Sequence, residues 1–252
     1  MRIGVVVETL NMFSWGSGLE TFEADVVASK YKGLPICPSS SFKGVLRTQA
    51  YVAASILEKR GLFIDKYPVC KGINPLMNVA TKPCGLCLIC KLFGSPGGSL
   101  SPLRFTDMYP IAGVEDLDEI FSGGIHRYIK SKAGKMGELF KITTYIRLED
   151  SSKTVSEGAL FTAEQVLPST LFYGEMELLE RSLLLALRDR GDKEITTAYR
   201  LLFTSIALLN YASMGRRGLV KLRGIKVDLG ASKDVISRDS FLVDLISRLE
   251  VR

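Results

Sequence analysis

The order of elements read from this chain predicts an α+β fold with a ferredoxin-like core: strand, helix, strands, helix, strand, a split βαβ arrangement interrupted by large insertions. Three observations carry this expectation. The β-branched run RIGVVVE at 2–8 reads as a first strand, apolar residues recur at helical spacing after Ser40, and EITTAYRLLFTSIALLNY at 194–211 is apolar on nearly every face, as a helix buried against a sheet would be.

The composition supports a globular chain. Its 252 residues are 46% hydrophobic and 24% charged, enough for one large core, read here as a single domain over 1–252. No uninterrupted apolar run is long enough to span a bilayer, and MRIGVVVETLNMF is interrupted too soon for a signal peptide. A soluble cytoplasmic protein without a membrane partner is expected. Lys and Arg number 33 against 27 Asp and Glu, a formal charge of +6 that suits a polyanionic partner.

Taken in order, the first strand runs into the loop NMFSWGSG, and KGLPICPSSS then leads into a helix. Hydroxyl capping sets its start near Ser40 or Ser41, with Phe42, Val45, Leu46, Ala53, Ile56 and Leu57 on the apolar side. Residues 61–100 hold four cysteines and little periodicity, an insertion folded around its own centre. SPLRFTDMYP returns to strand composition. Residues 123–141 carry Arg127, Lys130, Lys132, Lys135 and Lys141 against Glu138 and read as a mobile basic loop. FKITTYIRLE and ALFTAEQVLP flank the polar run DSSKTVSEG as a protruding hairpin, and TLFYGEMELLE follows as a strand. A terminal amphipathic helix is expected near 233–250.

Two segments have the chemistry to bind phosphate. At Pro38 to Arg47, Ser40, Ser41, Lys43 and Arg47 combine free helix N–H groups with hydroxyls and two cations one turn apart; an ordinary capped helix with a solvated basic face is the alternative. From Gly215 to Lys226, Arg216, Arg217, Gly218, Lys221, Arg223 and Gly224 form a cationic run without an acid, in which glycines allow close backbone approach. The alternative is a basic hairpin with glycines for its turns. Lys221 and Arg223 share parity with Ile225 and Val227, which predicts a bulge at Gly224.

Cys70, Cys84, Cys87 and Cys90 are spaced C-x13-C-x2-C-x2-C. Four thiolates suit a closed, structural zinc site; an iron–sulfur cluster or buried unligated thiols are the alternatives. Cys37 reads as a small buried hydrophobe. Candidate catalytic groups are few. His126 is the lone histidine, which excludes a His–His acid-base pair, and Ser39 to Ser41 lack a His–Asp partnership. Glu20, Glu23 and Asp25 cluster in the loop after the first strand, and Asp107 follows a strand-like segment.

The residues Gly33-Leu34-Pro35-Ile36-Cys37-Pro38-Ser39-Ser40-Ser41-Phe42-Lys43-Gly44-Val45-Leu46-Arg47 resemble the signature G-x-P-x-I-P-G-S-S-hydrophobic-K-G-x-hydrophobic-R of the RAMP (repeat-associated mysterious protein) superfamily, departing from it at Cys37 and Ser39. Leu92-Phe93-Gly94, Arg104-Phe105-Thr106-Asp107, Gly158-Ala159-Leu160-Phe161 with Glu164 and Pro168, and the run Gly215 to Gly224 match further family segments in order.

The resemblance implies an RRM-like core and a guide (crRNA) binding backbone subunit of a type III CRISPR effector complex. Its partners would be guide RNA, target RNA, other effector subunits and copies of itself. A thumb hairpin at about 148–162 would insert between guide and target base pairs, while sequence is read by pairing. It also implies a candidate endoribonuclease acting on target RNA. The family's catalytic aspartate falls at Glu23, with Asp25 two residues on, and a divalent metal is a candidate cofactor for cleavage. A non-catalytic structural or capping subunit of the same kind of complex is the alternative.

Overall fold

The computed structural model describes residues 1–18, 24–70, 83–95, 98, 100–132, 134, 136–148, 155–187, 191–215 and 218–251. Its strands are β1 (Arg2–Thr9), β2 (Lys30–Tyr31), β3 (Leu34–Pro35), β4 (Leu103–Phe105), β5 (Tyr109–Ile111), β6 (Phe140–Leu148), β7 (Val155–Val166), β8 (Leu171–Leu178), β9 (Ser213–Met214) and β10 (Gly218–Asp228). The helices are α1 (Ser39–Lys59), α2 (Leu88–Phe93), α3 (Leu117–Gly123), α4 (Ile125–Lys132), α5 (Glu180–Ala186), α6 (Asp192–Ala207), α7 (Lys233–Ser237) and α8 (Ser240–Leu249).

The main sheet runs β4-β8-β1-β10-β9, with β5 also paired to β8, and its pairings are antiparallel. The protein is therefore a mixed α and β structure on an antiparallel sheet. Ile3, Val5 and Val7 of β1 point to one side, where Leu46, Ala50 and Ala53 of α1 meet Leu201, Leu202 and Phe203 of α6. Val6 points to the other, under Ile120 and Phe121 of α3 and Tyr128 and Ile129 of α4. With both faces covered, β1 has no need of a polar alternation, hence its unbroken apolar run.

Three local expectations are corrected. Helix α1 begins at Ser39, and no serine caps it: the Ser39 N–H donates to the Asp107 carboxylate at 2.7 Å. The basic segment at 123–141 is not a loop at its start but helix α4, because Tyr128 and Ile129 bury against the sheet and Gly124, at φ +84°, ends α3 rather than marking disorder. The terminal helix is two, α7 and α8, broken where Asp239 caps the second by accepting from the Leu242 N–H at 3.2 Å.

Strands β6 and β7 form a separate two-stranded ribbon, longer than the hairpin expected at 148–162; the tip at 149–154 lies outside the described residues. Among the described residues no helix is long and apolar enough to cross a membrane.

Candidate nucleic-acid interface

At one end of the sheet three features meet. The loop after β1 runs back along the ribbon: the Val166 N–H donates to the Phe13 carbonyl at 2.8 Å, Val26 bridges Ala163, and the Val26 N–H donates to the Thr162 carbonyl at 3.0 Å. Within this loop the exposed Asp25 accepts from the Thr162 N–H at 2.6 Å and from its hydroxyl at 3.1 Å. Those two bonds, the backbone one first, hold the Asp25 carboxyl below the usual carboxylate range. Glu164, further along the ribbon, accepts from the Ala28 N–H at 3.1 Å and from the Lys30 ammonium at 2.6 Å. Glu23 lies outside the described residues.

On the other side of the loop sits the connection between β9 and β10, where Met214 pairs with Gly218. Gly215 adopts φ +67°, and a Cβ there would come within 2.8 Å of the Ser14 carbonyl oxygen. At Gly218 a Cβ would collide with the Phe13 ring and the Met214 carbonyl. Both glycines are fixed by the fold; Gly215 is exposed, whereas Gly218 is buried against Phe13. Arg216 and Arg217 lie outside the described residues.

From Gly218 the strand alternates, with Val220 and Leu222 buried and Lys221 and Arg223 exposed. The bulge is present: Val6 pairs with Gly224 and Val7 with Leu222, leaving Arg223 as the extra residue. Arg223 pairs with Glu8 at 3.3 Å. The bulge turns this cation outward while its charge is partly met by a neighbour.

The helix-end candidates separate. Ser40 is exposed and Ser41 half-buried at the start of α1, and Lys43 lies 6.0 Å from the Phe105 ring. Burial first, and then the Arg47 charge, lower the Lys43 pKa. Arg47 turns the other way: its guanidinium donates to the Gly94 carbonyl at 2.9 Å and to the Cys90 sulfur at 3.6 Å. Since Asp107 already occupies the Ser39 N–H, a phosphate at this helix end would share it with a carboxylate. On α4, Arg127 and Lys130 are exposed, whereas Lys132 pairs with Asp116 at 3.6 Å.

The four cysteines converge although much of their insertion, 71–82 included, lies outside the described residues. Their sulfurs all lie within 4.8 Å of one another; Cys70 to Cys90 is 3.5 Å, Cys70 to Cys87 3.6 Å and Cys84 to Cys90 4.0 Å. Tetrahedral thiolates around zinc would sit about 3.8 Å apart at the usual Zn–S length. The Leu86 and Cys87 N–H groups donate to the Cys84 sulfur at 3.4 and 3.2 Å, bonds that favour the thiolate. The donor set thus fits a metal ion.

With this geometry in hand, comparison with known proteins is decisive for the family. The family model described as RAMPs, RAMP superfamily, matches residues 15–219. The chain belongs to the RAMP superfamily. No curated protein matches it. Among solved structures, a chain of the type III-B Cmr-beta complex in its apo state is 14% identical, with a TM-score of 0.49 over 88% of this chain and 96% of that one. A chain of type III-B Cmr-beta bound to cognate target RNA is likewise 14% identical, with a TM-score of 0.47 over the same shares.

In this RAMP protein the sequence-predicted residues fall into separate places. Gly215 and Gly218 lie against Phe13 and Ser14 of the loop after β1, in which Asp25 also stands. Lys221 and Arg223 lie beside Glu8 near the end of β1, Lys43 stands at the start of α1, and Arg127 and Lys130 lie on α4 over the opposite side of the sheet from α1. Asp107, singled out in the sequence as an acid following a strand, turns out to hold the start of α1. Thr162, which holds Asp25, was missed, because it sits in a run chosen for its strand pattern alone.

Proposed function

We propose that this RAMP protein is a guide (crRNA) binding backbone subunit of a type III CRISPR effector complex acting in antiviral defence. The observation that carries the reading is the meeting, at one end of the sheet, of the glycine hairpin, the loop that holds Asp25 and the base of the two-stranded ribbon. A sugar-phosphate chain crossing this end would meet Lys221 and Arg223 beside an exposed backbone bare of a side chain at Gly215. The sheet order, read as β10-β1-β8-β4 with α1 and α6 packed on one side, supports a ferredoxin-like, RRM-like core. On the ribbon, Ile142, Ile146 and Leu160 are 45%, 57% and 67% exposed, which supports a thumb that wedges apolar side chains between bases.

The cysteine cluster is read as a structural zinc site. Four thiolates leave no open position, so the metal would hold the insertion against α1, where Arg47 meets Cys90, and take no part in chemistry.

Target cleavage through Asp25 or Glu23 is the further reach of this reading, with a divalent metal as a candidate cofactor. One observation favours the non-catalytic alternative, a structural or capping subunit: Asp25 already accepts two hydrogen bonds from Thr162 and so fastens the loop to the ribbon. Cleavage of target RNA by an assembled complex, with Asp25→Ala and Glu23→Ala combined in this subunit, separates the two. Loss of one cut supports catalysis, and an unchanged pattern leaves the structural role. Guide binding is tested by titrating the chain with single-stranded RNA and double-stranded DNA across a salt series. Preferential, salt-sensitive, sequence-tolerant RNA binding is expected, and equal or absent binding would overturn the reading.

A further inference from the structure

Folding leaves a small apolar surface beside the glycine hairpin that the core does not use. Tyr211, at the end of the 3-10 turn Leu208–Tyr211, is 84% exposed; Leu219 on β10 is 53% exposed and Leu10, just past β1, is 51% exposed. Their arrangement follows from the register. Thr9 pairs with Val220 and both are buried, so the next pair, Leu10 with Leu219, projects from the opposite, solvent side; the Leu10 N–H donates to the Leu219 carbonyl at 2.8 Å. Tyr211 lies two residues ahead of Ser213, which pairs with Leu219, and it is exposed as Ser213 is, with Ala212 between them buried; the adjacent Asn210 accepts from the Leu222 N–H through its side-chain oxygen at 3.1 Å. Lys221 and Arg223 continue the exposed row along β10.

A lone exposed tyrosine needs no explanation. An exposed aromatic ring on the segment that leads into the strand paired with β10, whose exposed row holds Leu219, Lys221 and the Glu8-paired Arg223, has the composition of a stacking platform: a flat π-face for a base, and charge for the phosphates beside it. We infer that Tyr211, backed by Leu219 and Leu10, stacks an unpaired base of single-stranded RNA whose backbone runs along Lys221 and Arg223. Stacking has no preference among bases, so the contact adds affinity without reading sequence. The inference rests on the RNA-binding reading above and assigns Tyr211 a role that the charge pattern alone does not suggest.

The test is equilibrium binding of a fluorescent, mixed-sequence single-stranded RNA to the full chain at several salt concentrations. Tyr211→Ala should weaken binding roughly 5- to 100-fold at every salt concentration and leave the salt slope unchanged, since no phosphate contact is lost. Tyr211→Phe should bind as wild type does, because the ring face is retained. Lys221→Ala should instead flatten the slope. Because Tyr211 is almost fully exposed, its replacement leaves the core intact. If wild-type chain binds RNA and Tyr211→Ala binds equally well, the inference fails alone. If Tyr211→Ala lowers the slope as Lys221→Ala does, a stacking role is overturned. Loss of association with another subunit, at unaltered RNA affinity, would assign the patch to protein instead. A wild-type chain that binds no RNA overturns the functional reading and the inference with it.

Discussion

Asp25 is exposed, and yet its carboxylate is bound by both the N–H and the hydroxyl of Thr162. Because the folded pKa is depressed, the tie is present at pH values above the ordinary carboxylate range, near 3.9, and is lost as pH falls through the lowered value. Hydrogen exchange at the Thr162 amide should therefore be slow at neutral pH and accelerate in the Asp25→Ala variant; equal protection in the two proteins would contradict the tie. Arg47 makes the opposite case, a cation that sequence pattern assigned to RNA but whose guanidinium reaches Gly94 and Cys90. Arg47→Ala should destabilise the chain by about 1–3 kcal/mol in denaturant unfolding, the usual cost of leaving charge-assisted partners unmet. RNA affinity should change little. A large affinity loss with unaltered stability would return Arg47 to the interface.

At the scale of elements, the cysteine insertion packs as α2 against the core through Leu88, Ile89, Leu92 and Phe93, all buried, and its sulfurs converge beneath that helix. Metal binding would therefore be coupled to the folding of this region. Cys87→Ser, or chelation of the wild-type protein, should lower the melting temperature, with about one zinc per chain lost on elemental analysis; a metal-free preparation of equal stability would exclude the site. The element pattern also explains what was legible in the sequence. Helical spacing marked α1, unbroken apolar runs marked β1 and α6 because both are covered on more than one face, strand composition marked the ribbon, and the parity shift placed a bulge at Gly224, one residue from the extra residue Arg223. It misread α4 because Gly123 and Gly124 suggested a loop, whereas Gly124 only ends the preceding helix and Tyr128 and Ile129 bury the next. The N-terminal cap of α1 was illegible for a different reason. Asp107 is 68 residues away in sequence, and only tertiary structure brings the carboxylate to Ser39.

Over the whole molecule, the formal charge of +6 says nothing about where RNA would lie, since a diffuse basic surface and a localised track give the same total. Helix α6 supplies a way to tell them apart. Its 16 residues run from Asp192 toward the turn that ends at Tyr211, so about 21 Å of helix separates Lys193 from Ala207, ahead of that turn and the hairpin beyond it. That distance is more than two Debye lengths at about 0.1 M salt, so Lys193 cannot act on RNA bound at β10 through the solvent. On single-stranded RNA, Lys221→Ala should reduce the slope of log affinity against log salt by about 0.7, the share of one phosphate contact. Lys193→Ala, which removes the same charge from the same total, should leave it unchanged. Equal losses from both variants would mean that RNA is held by the net charge of the surface and not along β10, and the glycine hairpin would then be a turn and nothing more.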